Sequence, residues 1–259
     1  MKPELLAPAG NLKKLKCALH FGADAVYAGG KALSLRAFAD NFTEDELAEG
    51  IAYAHARGKK VYVTVNIFAR NGDLPALEAA FRSLERMGAD AVLVSDLGAL
   101  AFCRRVAPAL AVHISTQANV TNAEAARAYA ALGASRVVLA REHSLADIAE
   151  IHAACPQLEL EAFVHGAMCI SYSGRCYLSD YLDGRPANRG ACVQACRRAY
   201  RIQSKGQDGW CDVEGDARGT YVMNSKDLNL SAHLSDLASA GVVSFKICLL
   251  YTSDAADEL

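Results

Sequence analysis

Four cysteines fall in one stretch, Gly166-Ala-Met-Cys169-Ile-Ser-Tyr-Ser-Gly-Arg-Cys176 and then Arg189-Gly-Ala-Cys192-Val-Gln-Ala-Cys196, with the spacing C-x6-C-x15-C-x3-C. Four thiolates gathered this way can close a tetrahedral shell around zinc or hold a 4Fe–4S cluster. The chain carries neither a signal peptide nor an apolar run long enough to span a membrane, so a reducing, cytoplasmic setting is expected, with no membrane partner. In that setting clustered cysteines read as metal ligands before they read as disulfides. Spacing alone leaves the metal open. The tight C-x2-C pairs common in zinc sites are missing, yet zinc and iron–sulfur clusters both accept four thiolates.

The surrounding charge is uneven. The 259 residues carry a net charge of −2, but residues 175–205 hold seven cations against two anions, Asp180 and Asp183. A locally basic segment on an otherwise acidic chain suits a phosphate-bearing partner such as RNA, with Arg185, Arg189, Arg197 and Arg198 as the backbone contacts and a salt-sensitive affinity. The plain alternative is a set of arginines solvating a loop-rich surface. A hydrophobic fraction of 52% with 22% charged residues is ordinary for a soluble globular domain, and the length suffices for one large core.

The elements that must position these groups repeat at a steady pace. Short apolar runs at residues 4–7, 25–28, 61–65, 91–94, 111–114, 137–139, 160–164 and 242–247 alternate with amphipathic helical patterns. Thr43 and Glu46 make a capping box at one helix start. Several helices end alike, in Phe21-Gly-Ala-Asp-Ala-Val, Met87-Gly-Ala-Asp-Ala-Val, Leu132-Gly-Ala-Ser-Arg-Val and Ala240-Gly-Val-Val. Each glycine supplies a left-handed cap, and the next strand starts within a few residues. Repeated helix–Gly–strand units mean parallel strands with crossover helices. Eight strands with seven helical segments between them predict an α/β fold, a (β/α)8 TIM-type barrel over residues 1–247. A Cys-rich basic insertion at 166–219 interrupts it after the seventh strand, with a hairpin expected between Tyr200-Arg-Ile202 and Thr220-Tyr-Val-Met223.

A barrel of this kind works at the carboxyl ends of its strands. Those positions hold Asn66, Ser95-Asp96, Ser115-Thr116-Gln117, Arg141-Glu142, His165 and Lys246, and the cysteine insertion leaves from the same rim. The last twelve residues, 248–259, read as foreign to the natural protein. The run from Cys248 to Glu258 is what a sequencing-library transposon adapter encodes in one frame. On that reading Cys248 is no ligand, eight of the nine cysteines are genuine, and the barrel is truncated before its last helix.

Several segments together resemble the peptidase U32 family: Glu4-Leu-Leu-Ala-Pro-Ala-Gly10, Ala25-Val-Tyr-Ala-Gly-Gly30, Ser95-Asp-Leu-Gly98, Ser115-Thr-Gln-Ala-Asn119, Asn188-Arg-Gly-Ala-Cys192 and Asn224-Ser-Lys-Asp-Leu228. The most specific is Glu161-Ala-Phe-Val-His-Gly-Ala-Met-Cys169 through Ser-Gly-Arg-Cys176-Tyr-Leu-Ser179. The resemblance covers residues 2–247. It implies a 4Fe–4S cluster on cysteines of this block and hydroxylation without molecular oxygen. In the family's branches the target is tRNA wobble uridine, with prephenate as hydroxyl source, or a ribosomal RNA cytidine, or a ubiquinone precursor. The Asn-Ser-Lys-Asp-Leu segment and the basic insertion look most like the RNA-directed branches. Some relatives carry a fourth ligand just after Lys-Asp-Leu, where this chain has Asn229. Cys196 or Cys211 then completes the set beside Cys169, Cys176 and Cys192, and the C-x3-C spacing favours Cys196. Cys17, Cys103 and Cys155 read as buried small residues within helices.

The family label also implies proteolysis. A metalloprotease His-Glu-x-x-His helix and a serine hydrolase Gly-x-Ser-x-Gly elbow are both absent, so the peptidase reading rests on that label. For the hydroxylase reading a small dicarboxylate such as prephenate needs a guanidinium or ammonium partner. Arg141 and Lys246 suit by location, as does Arg36, with Asn66 and Gln117 beside them on the rim. Glu161 and His165, taken to flank the end of the seventh strand, are the candidates for moving protons. A non-catalytic RNA-binding accessory is the remaining alternative.

Overall fold

The computed structural model of the protein describes residues 2–31, 33–35, 41–198, 200–203, 206, 211–212, 215–216, 219–220 and 227–248. Arg36 and residues 249–259 lie outside them. Eight parallel strands form a closed barrel: β1 (Glu4–Ala9), β2 (Ala25–Gly29), β3 (Lys60–Thr64), β4 (Ala91–Val94), β5 (Val112–Ile114), β6 (Arg136–Val138), β7 (Glu159–Gly166) and β8 (Val242–Ile247). Each pairs with the next, and β8 closes the ring between β7 and β1. Helices α1 (Leu12–His20), α2 (Glu44–His55), α3 (Leu74–Met87), α4 (Leu97–Val106), α5 (Ala123–Ala131) and α6 (Leu145–Ala154) make the crossovers. Two short helices, α7 (Leu178–Asp183) and α8 (Leu234–Ser239), lie between β7 and β8.

Local chemistry accounts for these boundaries. Thr43 and Glu46 form the expected capping box at α2, and Ser144 with Asp147 forms another at α6. Asp96 and Asn122 accept from Ala99 N and Ala125 N in the first turns of α4 and α5. Gly88 ends α3 with φ of +75°, and Gly133 follows α5 with φ of +95°, the left-handed geometry that a Cβ disfavours. Alternation along each strand then divides the barrel into two cores. Val26, Val61, Val92, Val112 and Val137 face outward and pack against helix residues such as Leu15, Ile51, Phe81 and Leu100. Leu6, Tyr27, Tyr62, Leu93 and Val138 face inward.

The inward set also carries charge. Arg136 Nη1 donates to Glu4 Oε1 at 2.7 Å and to Glu161 Oε2 at 3.1 Å. Lys246 Nζ donates to Glu161 Oε1 at 2.8 Å, Ser244 Oγ donates to Glu4 Oε1 at 2.9 Å, and Tyr62 Oη donates to Glu4 Oε2 at 2.6 Å. Glu161 is 0% exposed, and Arg136 and Lys246 are each 3% exposed. Burial works against the Arg136 charge, but the surrounding Glu161, Tyr62 and Glu4 outweigh it and raise its pKa. His113 stacks edge-on against Tyr62; burial, then Arg136 and Lys246, hold its pKa well below the usual range, so its imidazole is neutral.

The hairpin predicted in the insertion takes a different form. Arg201–Ile202 pairs antiparallel with Cys211–Asp212, and Gly215–Asp216 pairs with Gly219–Thr220. Thr220 of the expected partner strand thus pairs with Gly215, and residues 221–223 lie outside the described residues. Leu228–Asn229 adds antiparallel to the end of β7, opposite Gly166 and His165.

Candidate functional site

The insertion leaves β7 at Gly166 and folds back over the carboxyl ends of the strands, where three loops receive it. After β3, Phe68 N donates to Asn188 O at 3.1 Å and Arg189 Nη1 donates to Phe68 O at 2.9 Å. After β5, Asn119 Nδ2 donates to Ser173 O at 2.9 Å. After β6, Arg141 Nη1 donates to Ala167 O at 2.8 Å. Gly174 comes so near the barrel rim that a Cβ would stand 2.7 Å from Gln117 O, and its φ is +76°. Only glycine allows this approach.

The docked insertion brings the four predicted ligands into one neighbourhood. The Cys196 thiol lies within electrostatic reach of Cys169, Cys192 and Cys176; burial first, then these thiols, raise its pKa. Burial likewise raises the Cys169 thiol, while a hydrogen bond and the charge of Arg141 pull the other way. Cys169 nevertheless keeps solvent contact, and none of the four is in a disulfide. Two backbone amides point at sulfur: Leu178 N donates to Cys176 Sγ and Gln194 N donates to Cys192 Sγ, both at 3.4 Å. Such N–H···S bonds stabilise thiolate ligands and tune cluster potentials, so the donor set fits a thiolate-held metal centre. Among the described residues no group of three or more metal-ligating side chains is closed into coordinating geometry. Cys211 falls on a described backbone but its side chain does not, and Cys248 N donates to His165 O at 2.8 Å.

A column of side chains connects this neighbourhood to the barrel interior. The Arg141 guanidinium sits 4.5 Å from the Phe163 ring centre, and Lys246 Nζ sits 5.4 Å from the same ring and 4.4 Å from that of Tyr27. Below Lys246 lies Glu161. Arg141 also borders a cavity of about 260 Å³ between β6, α6 and the 228–237 segment, walled by Leu139, Ile148, Leu230 and Leu237. Its Nε is buried with no hydrogen-bond partner. A guanidinium bordering a mostly apolar cavity suits an anion that has an apolar body.

The predicted residues therefore separate into groups. Arg141 joins the cysteines directly. Asn66 accepts from Leu35 N and donates to Ser115 Oγ, and Gln117 packs under Gly174, so both stand on the rim the insertion covers. His165 is exposed on the same rim. Glu161 corrects the expected placement: it is the third residue of β7, near the amino end of the strand, and Arg136, Lys246 and Ser244 engage it. Lys246 is committed to it. Among the arginines assigned to RNA, Arg189 grips Asp73 through two hydrogen bonds of 2.9 and 3.1 Å. Arg197 pairs with Asp227 and Arg198 with Asp183, while Arg185 is half-buried and engaged. Arg136 was not anticipated. Its signal is a charged residue opening a strand that is buried on both faces, where apolar residues are the rule.

The Arg189 clamp has a pH consequence. The Asp73 carboxyl is held down to about 2, first by the Arg189 hydrogen bonds and then by the Arg70 amide. A depressed carboxylate contributes stability that is complete above its unfolded value of about 3.9 and is lost as pH falls through about 2. Asp73→Asn is expected to flatten the acid-unfolding curve over that window, followed by circular dichroism. Superimposable curves for the two proteins would disprove the coupling.

Residues 10–251 match the family profile described as Peptidase family U32. The chain belongs to peptidase family U32. Two curated relatives are close. The "tRNA hydroxylation protein P1" of Bacillus subtilis is 44% identical over 246 residues, covering 95% of this chain and 58% of that protein. The "tRNA hydroxylation protein P" of Helicobacter pylori is 46% identical over 245 residues, covering 93% and 58%. This U32 chain thus spans under two thirds of their length. The solved U32 peptidase Mk0906 superposes with a TM-score of 0.63 over 96% of this chain and 93% of that one, at 14% identity, which speaks to the fold alone.

Proposed function

We propose that this U32 protein takes part in oxygen-independent hydroxylation of RNA, with tRNA wobble uridine converted to 5-hydroxyuridine. The observation that carries the reading is Arg141, which stands beside Cys169 and borders a cavity, in a family whose curated relatives are named for tRNA hydroxylation. Replacing C5–H by C5–OH oxidises the base by two electrons, so a co-substrate must give the hydroxyl and accept that pair. A small dicarboxylate such as prephenate suits the Arg141 guanidinium, which binds a carboxylate and fixes its orientation. Cys169, Cys176, Cys192 and Cys196 would hold a 4Fe–4S cluster, which supplies one-electron transfer when bound. His165, exposed on the rim, is free to exchange a proton with a bound base. A reducing cytoplasm is the compartment such thiols require.

The peptidase alternative gains nothing from the site. Among the described residues no thiol or hydroxyl nucleophile is hydrogen-bonded to a histidine, the pairing that activates one. A test is complementation of a strain lacking its own tRNA hydroxylation proteins, with 5-hydroxyuridine measured by mass spectrometry of tRNA nucleosides. The expected result is restoration by the protein and a loss of at least about a hundredfold with Arg141→Ala, the scale of a lost positioning contact. Absence of the nucleoside from cells holding the iron-loaded wild type would reject the reading. Full activity in Arg141→Ala would instead remove the role assigned to Arg141.

A further inference from the structure

We infer that Tyr177 and Tyr181 form a stacking platform for unpaired RNA bases beside the cysteine neighbourhood; this rests on the RNA reading above and names the surface it uses. Three of the four exposed aromatic side chains among the described residues lie within ten residues of one another: Tyr172 is 52% exposed, Tyr177 71% and Tyr181 86%. Large apolar rings left in water at this density call for a partner. Tyr181 N donates to Tyr177 O at 2.8 Å, so Tyr181 stands one helical turn beyond Tyr177, the residue that caps the start of α7. That spacing presents two rings to successive bases of a single strand. Paired bases stack on each other and offer no such face.

The platform is held rigidly to the cysteines. Ser179, on the opposite side of α7, is 2% exposed; its Oγ accepts from Val193 N at 3.1 Å and donates to Ala191 O at 3.5 Å, on either side of Cys192. Cys176 directly precedes Tyr177. A base on the first ring therefore lies next to the proposed cluster. Cations flank both ends. Arg175 is exposed two residues before Tyr177, and Arg198, 47% exposed at its side chain, pairs with Asp183 at the last turn of α7. An RNA strand has the matching chemistry, π-faces spaced along a polyanion. The alternative occupant, another protein surface, would be expected to seal such rings within an apolar patch and deplete charge around them.

The experiment measures binding of the iron-loaded, anaerobically purified protein to an RNA hairpin with an unpaired loop and to a fully paired duplex of equal length. Tyr177→Ala and Tyr181→Ala are each expected to weaken hairpin binding roughly tenfold, with Tyr→Phe variants within about twofold of wild type. Duplex binding stays unchanged. Arg175→Ala is expected to lower the salt dependence of binding, whereas the tyrosine variants leave it alone. Hairpin binding by wild type that both alanine variants retain, with iron content intact, would overturn the platform and spare the RNA reading. Binding of neither RNA by wild type would remove both. Loss of self-association on size-exclusion chromatography, with RNA affinity unaltered, would make this a protein–protein surface and overturn the inference.

Discussion

Glu161→Ala is expected to lower stability by about 3–5 kcal/mol, the usual cost of removing one partner from a fully buried ion pair. The side chain neutralises Arg136 and Lys246 inside the barrel, and no solvent reaches it. Its loss leaves Lys246 buried without its carboxylate partner, while Arg136 keeps Glu4 and Glu159. A domain of this size should then melt on the order of 10 °C lower. By contrast the exposed pair Arg82–Glu78 on α3 should contribute at most about 0.5 kcal/mol. Thermal unfolding of Glu161→Ala and Glu78→Ala makes the comparison. A loss below about 1 kcal/mol for Glu161→Ala would mean that water enters the barrel and hydrates the network. Activity lost in this variant would therefore say little about proton transfer, since the fold itself is the first casualty.

The second large effect concerns metal content. Anaerobically purified protein is expected to hold about four irons and four acid-labile sulfides per chain. Cys169→Ala and Cys192→Ala should each abolish both. Cys103→Ala should retain them, because that thiol is fully buried in the outer core and burial pushes its pKa up to about 12. Cys196→Ala set against Cys211→Ala identifies the fourth ligand, and the position of Cys196 among the other three thiols favours the first. Stoichiometric zinc without sulfide would end the redox reading and leave a zinc-stapled insertion.

The sequence was most legible where local chemistry and long-range order agree. A glycine past the last helical residue is required by backbone sterics alone, so the repeats at Gly22, Gly88, Gly133 and Gly241 announced helix–strand units; all four adopt positive φ. The apolar runs matched the strands to within a few residues for the same reason. The charged interior was harder to read. Glu4, Arg136, Glu161 and Lys246 sit on four strands far apart in the chain, and only the closed register makes them neighbours. Polar residues at alternate positions of Glu159-Leu-Glu161 and Ser244-Phe-Lys246 were a usable sign that the barrel centre is ionic. Nor did spacing reveal that Arg189 clamps the insertion to Asp73, because that contact joins segments with no local coupling. The cysteine cluster was visible because its ligands are close in sequence.

Barrel closure and charge neutralisation are one event in the life of the nascent chain. β8 is the last strand of the ring to be made, and it carries Lys246, the direct partner of Glu161. At about 5–20 residues per second, synthesis of the stretch between β7 and β8 takes several seconds. Throughout that interval β1 and β7 remain unpaired edges and Glu161 lacks one of its two cations. Such long-range pairing is slow to form and exposed to misassembly while it waits. The emerging chain thus needs shelter until its eighth strand arrives. A ribosome-stalling series that ends on either side of residue 246 would time the transition.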